Sequence, residues 1–313
     1  MKYAARRLLY SVILLLGVSV FSFLLSELAP GDFYSEMQAD PRVTPELLAS
    51  LRARNGLDRP LQERYVIWLK SVARGDFGYS LAYQGPVGPL LAQRIPGTLL
   101  LTGAATLLGW MLSVPLGIWS ATRRGAWPDG LLKVILSIAL STPELLLAIA
   151  FLAVAVQTGW LPAGGMHSPG RADFPDLLRH LLVPVTVLTI GLLPVLVRHT
   201  RSAVAGAMDA PFALASRAHG IPRRRLLLRH VLPVAANPLI SLFGLSLGTL
   251  ISASLLVEVL AGWPGLGPLF LEAIFARDFA LVLGVVMIST TFLIGGNLVA
   301  DLLLYRADPR IRP

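Results

Sequence analysis

Six stretches of this chain are apolar for so long that water is the wrong solvent for them. Leu8–Leu28, Thr98–Ala121, Leu131–Gln157, Leu177–Val197, Ala235–Leu260 and Ala280–Tyr305 carry few or no charged side chains. Each is long enough, or nearly so, for a ~30 Å hydrocarbon core, which a helix of roughly 20 residues crosses. Inside a bilayer the backbone must satisfy its own hydrogen bonds, so only helices and closed barrels span it. The runs lack the polar alternation of barrel strands. The expected fold is therefore all-α, a polytopic membrane protein with six transmembrane helices. Composition agrees, with 14% charged residues where a soluble domain has about 25%. The first run follows Arg6 and Arg7, as a signal peptide would. It is too long for a signal core and lacks a small-residue cleavage site before Glu27, so it reads as a retained anchor.

A net charge of +9 invites a nucleic-acid reading, which the distribution of that charge argues against. With the N-terminus inside, the inner segments hold 16 of the 27 Lys and Arg, from Lys2, Arg6 and Arg7 through Arg123, Arg124 and Lys133 to Arg198–Arg229 and the C-terminal arginines. The short outer loops hold Arg171, Arg179 and Arg277. This is the positive-inside bias, from which the long outer loop is exempt. Both termini are expected in the cytoplasm, and no nucleic acid is expected as a partner. The predicted organisation is a cytoplasmic N-terminus with helix 1 over residues 1–29, an extracytoplasmic segment over 30–96, and a five-helix core over 97–313 with a cytoplasmic loop at 198–234. Within the outer segment, Pro45–Arg54 and Leu61–Val72 read as short helices around an Asn55–Pro60 turn. Tyr65, Trp68, Phe77, Tyr79 and Tyr83 either pack a small subdomain or offer a docking surface.

Several chemistries lack their residues. The three lysines have no Gly-x-x-x-x-Gly frame, so no P-loop is present. The five histidines show no metal-ligand spacing and read as loop or interfacial residues, so no metal is expected. There is no credible Ser/His/Asp set, so no catalytic residue is assigned and an intramembrane enzyme is only a remote alternative. With no cysteine, disulfides are excluded.

Between two of the apolar runs lies Phe212–Pro233, short, basic and amphipathic. Phe212–His219 reads as a helix that Gly220 breaks, and Pro222 suits the first turn of a second helix. Ala213, Ala215, Ser216 and Ala218 permit close approach, while Leu226–Leu228 are apolar among arginines. Two readings fit: a helix lying in the groove of a soluble partner and passing on its motion, or an interfacial helix resting on anionic lipid headgroups.

The stretch Ala215–Pro233, with Gly220 at its centre and Leu232-Pro233 at its end, resembles the cytoplasmic coupling loop of binding-protein-dependent ABC importers. Ordered motifs extend the likeness along nearly the whole chain. They are Arg6-Arg7-Leu8-Leu9, Pro30-Gly31-Asp32, Gly56-Leu57-Asp58-Arg59-Pro60, Gly75-Asp76-Phe77-Gly78-Tyr79-Ser80, Pro115-Leu116-Gly117, Leu161-Pro162-Ala163-Gly164-Gly165, Pro264-Gly265-Leu266-Gly267, Arg277-Asp278 and Asp308-Pro309-Arg310. Together they are similar to the dipeptide/oligopeptide/nickel permease family, first-permease type. Leu214, Ser216, His219 and Ala261 depart from that pattern.

The resemblance implies a type I ABC importer permease fold in a bacterial or archaeal inner membrane. It implies half of a translocation path for di- or oligopeptides, with nickel, a nickel chelate or another small solute as alternatives. Implied partners are a second homologous permease, two ABC ATPases that hold ATP and Mg, an extracytoplasmic solute-binding protein, and membrane lipid. This chain itself would bind no cofactor and catalyse no reaction. The expected ATPase-coupling residues are Ala215, Ser216, Arg217, Ala218, Gly220, Arg224, Leu227 and Pro233.

Polar residues inside apolar runs are costly and tend to face a bundle interior. Glu144, after Pro143 in the third run, is a pore candidate or an acid paired with a neighbouring arginine. Glu258 is either an outer-gate residue with Pro264, Gly265 and Gly267 or an interfacial acid. Asp301 reads as a snorkelling or inter-subunit charge. Gly244, Gly248, Gly284, Gly295 and Gly296 suggest tight helix packing.

Overall fold

A computed structural model of the chain describes residues 2–28, 30–39, 43–171 and 173–307; the terminal Asp308-Pro309-Arg310 motif lies outside them. Helix α1 (Lys2–Leu28) is followed by a 3-10 turn, Phe33–Ala39, and by α2 (Pro45–Arg54) and α3 (Leu61–Val72). These two helices have the bounds expected from the sequence. The Thr44 hydroxyl accepts a hydrogen bond from the Leu47 amide and caps α2. A two-residue hairpin, β1 (Tyr79–Ser80) with antiparallel β2 (Gly85–Pro86), leads into α4 (Val87–Thr122). Then come α5 (Trp127–Ser141), α6 (Glu144–Thr158) and α7 (Phe174–Asp209). Short α8 (Pro211–Ala218) and α9 (Arg223–Leu226) precede a π-helical turn, Leu227–Val231, and α10 (Leu232–Leu260). The chain closes with α11 (Leu266–Phe275) and α12 (Phe279–Ala307).

Among the described residues, five helical runs are long and apolar enough to cross a membrane, and the α5–α6 pair makes a sixth if counted as one span. The third apolar run is thus not a single helix. It is bent by 96° between α5 and α6. Pro143 disfavours helical geometry at the residue before it, and Thr142 is extended at φ −90°, ψ 119°. Large apolar side chains stay exposed on α1 (Phe21, 63%), α5 (Ile138, 63%) and α6 (Val156, 66%), a pattern suited to hydrocarbon.

The chain divides into two units, residues 1–97 with 264–291 and residues 98–263 with 292–313. In the first, Trp68 of α3 packs on Phe23 of α1 with ring centroids 6.1 Å apart, and Tyr65 meets Phe23 edge-on at 5.4 Å. Leu283 and Met287 complete that core, against which Phe77 packs. These aromatics are packing residues, whereas Tyr79 and Tyr83 remain exposed. Buried Asp278 accepts hydrogen bonds from the Ser80 hydroxyl at 2.6 Å and the Ala82 amide at 3.0 Å, which ties the hairpin to the start of α12. Tyr83 donates to Glu272 of α11; burial first, then that carboxylate, pushes its phenol up to about 12.

In the second unit α7 is the axis. Val187, Leu188, Leu192 and Leu196 are buried against Leu101 and Ala105 of α4, Ala148 of α6 and Leu250 and Val257 of α10. Small residues set the helix spacing. A Cβ on Gly117 would lie 2.5 Å from the Thr200 Cβ, and one on Gly244 2.6 Å from that of Ala300. Gly248 is similarly close to Leu293, and Gly296 to Leu247, while Gly295 faces open space. In the first unit Gly284 lies against Val87.

Candidate functional site

Helix α8 starts straight after α7, because Ala210 adopts an extended conformation (φ −67°, ψ 150°) and Pro211 opens the new helix. Ala213 is its one buried residue. It joins a core made of Ala121, Val204, Ala205, Ala207, Leu226, Val231 and Ala235. The helix ends as its sequence predicts. Gly220 takes φ +74°, and the Gly220 and Ile221 amides donate back to Arg217 O (2.9 Å) and Ser216 O (3.1 Å), a glycine C-terminal cap. Pro222 is the residue before α9 and not within its first turn.

Of the expected coupling residues, Ala215, Arg217, Ala218, Gly220, Arg224 and Pro233 are exposed, and Ser216 and Leu227 are half-buried. Leu227 packs on the core beneath. The Ser216 hydroxyl donates to Phe212 O within α8, and Arg217 donates to Met208 O at 3.1 Å. Arg223 donates to Thr122 O at 2.6 Å, linking this region to the end of α4. The second half of the segment is not a loop. Arg223 to Leu260 is one helical run of 38 residues, so the basic stretch is the end of α10's own rod.

Nearby lies a cluster that the sequence reading missed. Asp129, in the first turn of α5, is fully buried. The Arg201 guanidinium of α7 donates to both its oxygens, at 3.1 and 3.0 Å. Lys133 lies 2.8 Å away, and the Ser120 hydroxyl and Gly125 amide also donate to it. Such a forked, charge-assisted pair holds its partners in one geometry. Arg124 makes a second, exposed pair with Asp209 at 2.8 Å. The available signal was a lone acid following Pro128 in an arginine-rich turn, at the helix start that favours an acid.

The α5–α6 break places Glu144 at the first turn of α6. Its carboxylate is seated on α7 at Gly191, where a Cβ would come within 2.5 Å of Oε1. It lines a cavity of about 420 Å³ together with Leu192, His199, Ser246, Thr249 and Leu250. The alternative of an ion pair with a neighbouring arginine is not realised, since Glu144 has no hydrogen bond or ion pair among the described residues. Pro143 is exposed.

Glu258 is fully buried at the end of α10, which removes the reading of an interfacial acid. Its backbone carbonyl accepts from the Trp263 amide at 2.8 Å. Pro264, Gly265 and Gly267 belong to the other unit, where Gly265 precedes α11 and the Pro264 carbonyl lies close to Gly97. His180 is buried in α7 with Nδ1 2.9 Å from Asp176 O, unlike the loop or interfacial histidine expected. Asp301 is half-buried and has an interaction partner.

Residues 113–313 match the family described as binding-protein-dependent transport system inner membrane component, and residues 1–102 match that family's N-terminal part. The chain is 35% identical over 312 residues to the oligopeptide transport system permease protein AppB of Bacillus subtilis, covering 99% of this chain and 98% of that one. It is 32% identical to the di/tripeptide transport system permease protein DppB of Pseudomonas aeruginosa, covering 100% and 99%. Among solved structures, an inward-facing methionine ABC transporter, MetNI, superposes with a TM-score of 0.53 at 21% identity, over 70% of this chain and 96% of that chain. An amino acid ABC transporter with histidines gives 0.54 at 18% identity, over 70% and 94%. At these identities the structures speak to the fold, which is that of type I importer permeases.

Proposed function

The chain belongs to the binding-protein-dependent transport system inner membrane components, and from that premise we propose that it forms half of the translocation path of an ATP-driven peptide importer. It is a multi-pass permease of the bacterial inner membrane. The cargo follows from full-length relatives named as oligopeptide and di/tripeptide permeases. A second permease completes the pore, a solute-binding protein delivers cargo from outside, and two ATPases bind ATP and Mg on the cytoplasmic side.

One observation carries the coupling mechanism. The basic half of the docking segment, from Arg223, is continuous with the helix that lines the cavity, and α8 joins it through the short turn at residues 219–222. Helix α8 exposes Leu214, Ala215, Arg217 and Ala218 while Ala213 pins it to the core. The run that begins at Arg223 carries Leu242, Ser246 and Thr249, which line the cavity, without an intervening loop. At 1.5 Å per residue it is a rod of roughly 57 Å. ATP binding closes the ATPases and displaces the cytoplasmic end of that rod; the displacement moves the cavity wall and opens the path outward. Hydrolysis reverses it. The π-helical turn Leu227–Val231 and Pro238 inside α10 are places where the rod can adjust locally.

The test is to tag the chain, extract it from its native membrane in mild detergent, and identify what co-purifies. A second six-span permease and two P-loop ATPases are expected. Because the chain has no cysteine, Ser216→Cys or Arg224→Cys provides a unique crosslinking point. A chain that purifies alone and crosslinks to no ATPase refutes the docking role and leaves α8 as a headgroup-resting helix.

A further inference from the structure

The cavity at Glu144 has a chemistry that its apolar walls do not explain. Gly191, on which the carboxylate is seated, is the middle of α7 (Phe174–Asp209), so Glu144 lies about halfway along a membrane-spanning helix. A carboxylate at that depth is expensive unless something compensates it. The other acids packed near α7 are compensated. Asp129 has Arg201 and Lys133, Asp209 has Arg124, and Asp176 has the Ser168 amide and hydroxyl. Glu144 has no such partner among the described residues, and the cavity it lines is mostly apolar. The side chain is also held in position: it occupies the gap left by the missing Cβ of Gly191. Hydroxyls of Ser246 and Thr249 and the His199 ring, two turns further along α7, are the other polar groups of the cavity.

We propose that the Glu144 carboxylate is a cargo-binding group that receives a primary ammonium of the passing peptide, with Gly191 as the residue that positions it. This rests on the peptide-importer reading above and adds the charge class that the path selects. The volume of about 420 Å³ on this chain lies within the ordinary range of small-molecule sites, roughly 300–1,000 Å³. An ammonium entering the cavity supplies the counter-charge that the carboxylate lacks among the described residues. The ammonium is either the peptide N-terminus or a lysine side chain.

The experiment uses the whole importer with its ATPases and binding protein in proteoliposomes, comparing wild type, Glu144→Gln, Glu144→Asp and Gly191→Ala. Three tripeptides serve as probes, with alanine, lysine or glutamate as the central residue. Uptake of each is divided by its affinity for the binding protein, which removes selection before the pore. Recognition of the N-terminus predicts a roughly tenfold fall for all three in Glu144→Gln and Gly191→Ala, and recovery to within about threefold in Glu144→Asp; tenfold corresponds to about 1.4 kcal/mol. Recognition of a lysine side chain predicts that the lysine-to-glutamate uptake ratio falls several-fold in Glu144→Gln and is retained in Glu144→Asp.

Uptake by Glu144→Gln equal to wild type overturns the proposal, as does a fall that Glu144→Asp shares in full. Loss of subunit assembly in Glu144→Gln overturns it too, by marking Glu144 as one side of an ion pair with the second permease. Wild-type vesicles that take up no peptide overturn the peptide reading itself, and this proposal with it. Wild-type uptake that is blind to Glu144 overturns the ammonium site alone.

Discussion

Helix α5 is flanked by two carboxylates that the protein treats in opposite ways. Asp129, in its first turn, is fully buried and surrounded by a guanidinium, an ammonium, a hydroxyl and a backbone amide. Glu144, just past its end, is seated on Gly191 and lines a mostly apolar cavity. The first acid joins α4, α5 and α7 into one block close to the docking helix. The second is held in place with its charge uncommitted. A saturated carboxylate is an architectural element, since every lone pair already has a donor. An unsaturated one in a cavity can act on something that arrives.

The contrast is open to attack through stability. The largest effect is expected from Asp129→Asn. It leaves Arg201 facing a neutral group in a mostly buried site, and removing one partner of a buried pair costs about 3–5 kcal/mol. Arg201 retains 22% side-chain exposure, which puts the expectation near the lower end. Glu144→Gln should not destabilise the chain, because no partner loses anything and a carboxylate without counter-charge is removed from the span. Reversible unfolding of the purified chain in mixed micelles measures both, and similar losses in the two variants would break the comparison.

The next largest effect is expected from Gly117→Ala. Its new methyl would lie 2.5 Å from the Thr200 Cβ and 3.1 Å from the Arg201 amide nitrogen, which forces α4 and α7 apart beside the Asp129 cluster. Overpacking of this kind costs about 1–3 kcal/mol, read in the same titration. An Asp129→Asn background should reduce that cost by at least ~0.5 kcal/mol, since neighbouring lesions couple. Strict additivity would show that the glycine and the ion cluster are independent. The smallest effect belongs to Arg124→Ala. Its pair with Asp209 is about half exposed on both sides, so solvent screens it and little or no measurable loss is expected. A larger loss would mean that this second link is part of the same block.

Much of the scaffold was legible locally. The short helices Pro45–Arg54 and Leu61–Val72 follow from caps, prolines and the Asn55–Pro60 turn. The end of α8 follows from Gly220, which only a left-handed residue could supply cheaply. The length of the third apolar run suggests one helix, although Pro143 and the residue before it carry the signal for a break. A long apolar run outweighed a proline in that reading, yet a proline in mid-run frees carbonyls and bends the chain wherever packing accepts the bend. The continuity of Arg223–Val231 with α10 was likewise not legible. Pro233 suggested a boundary, but a proline in the first turn of the helix that follows costs little.

By itself the sequence determined the solvent, the apolar runs that supply the spanning helices, the exposed basic helix and the family. Each is written in contiguous runs or ordered motifs, where the relevant physics acts between near neighbours in the chain. Only the tertiary structure decided that Asp129 is saturated by Arg201, 72 residues away, and that Glu144 is seated on Gly191. It also decided that residues 264–291 join the N-terminal segment in one unit. These outcomes depend on which helix faces meet and at what height. A carboxylate reads the same in the sequence whether a guanidinium or an empty cavity waits across the crossing.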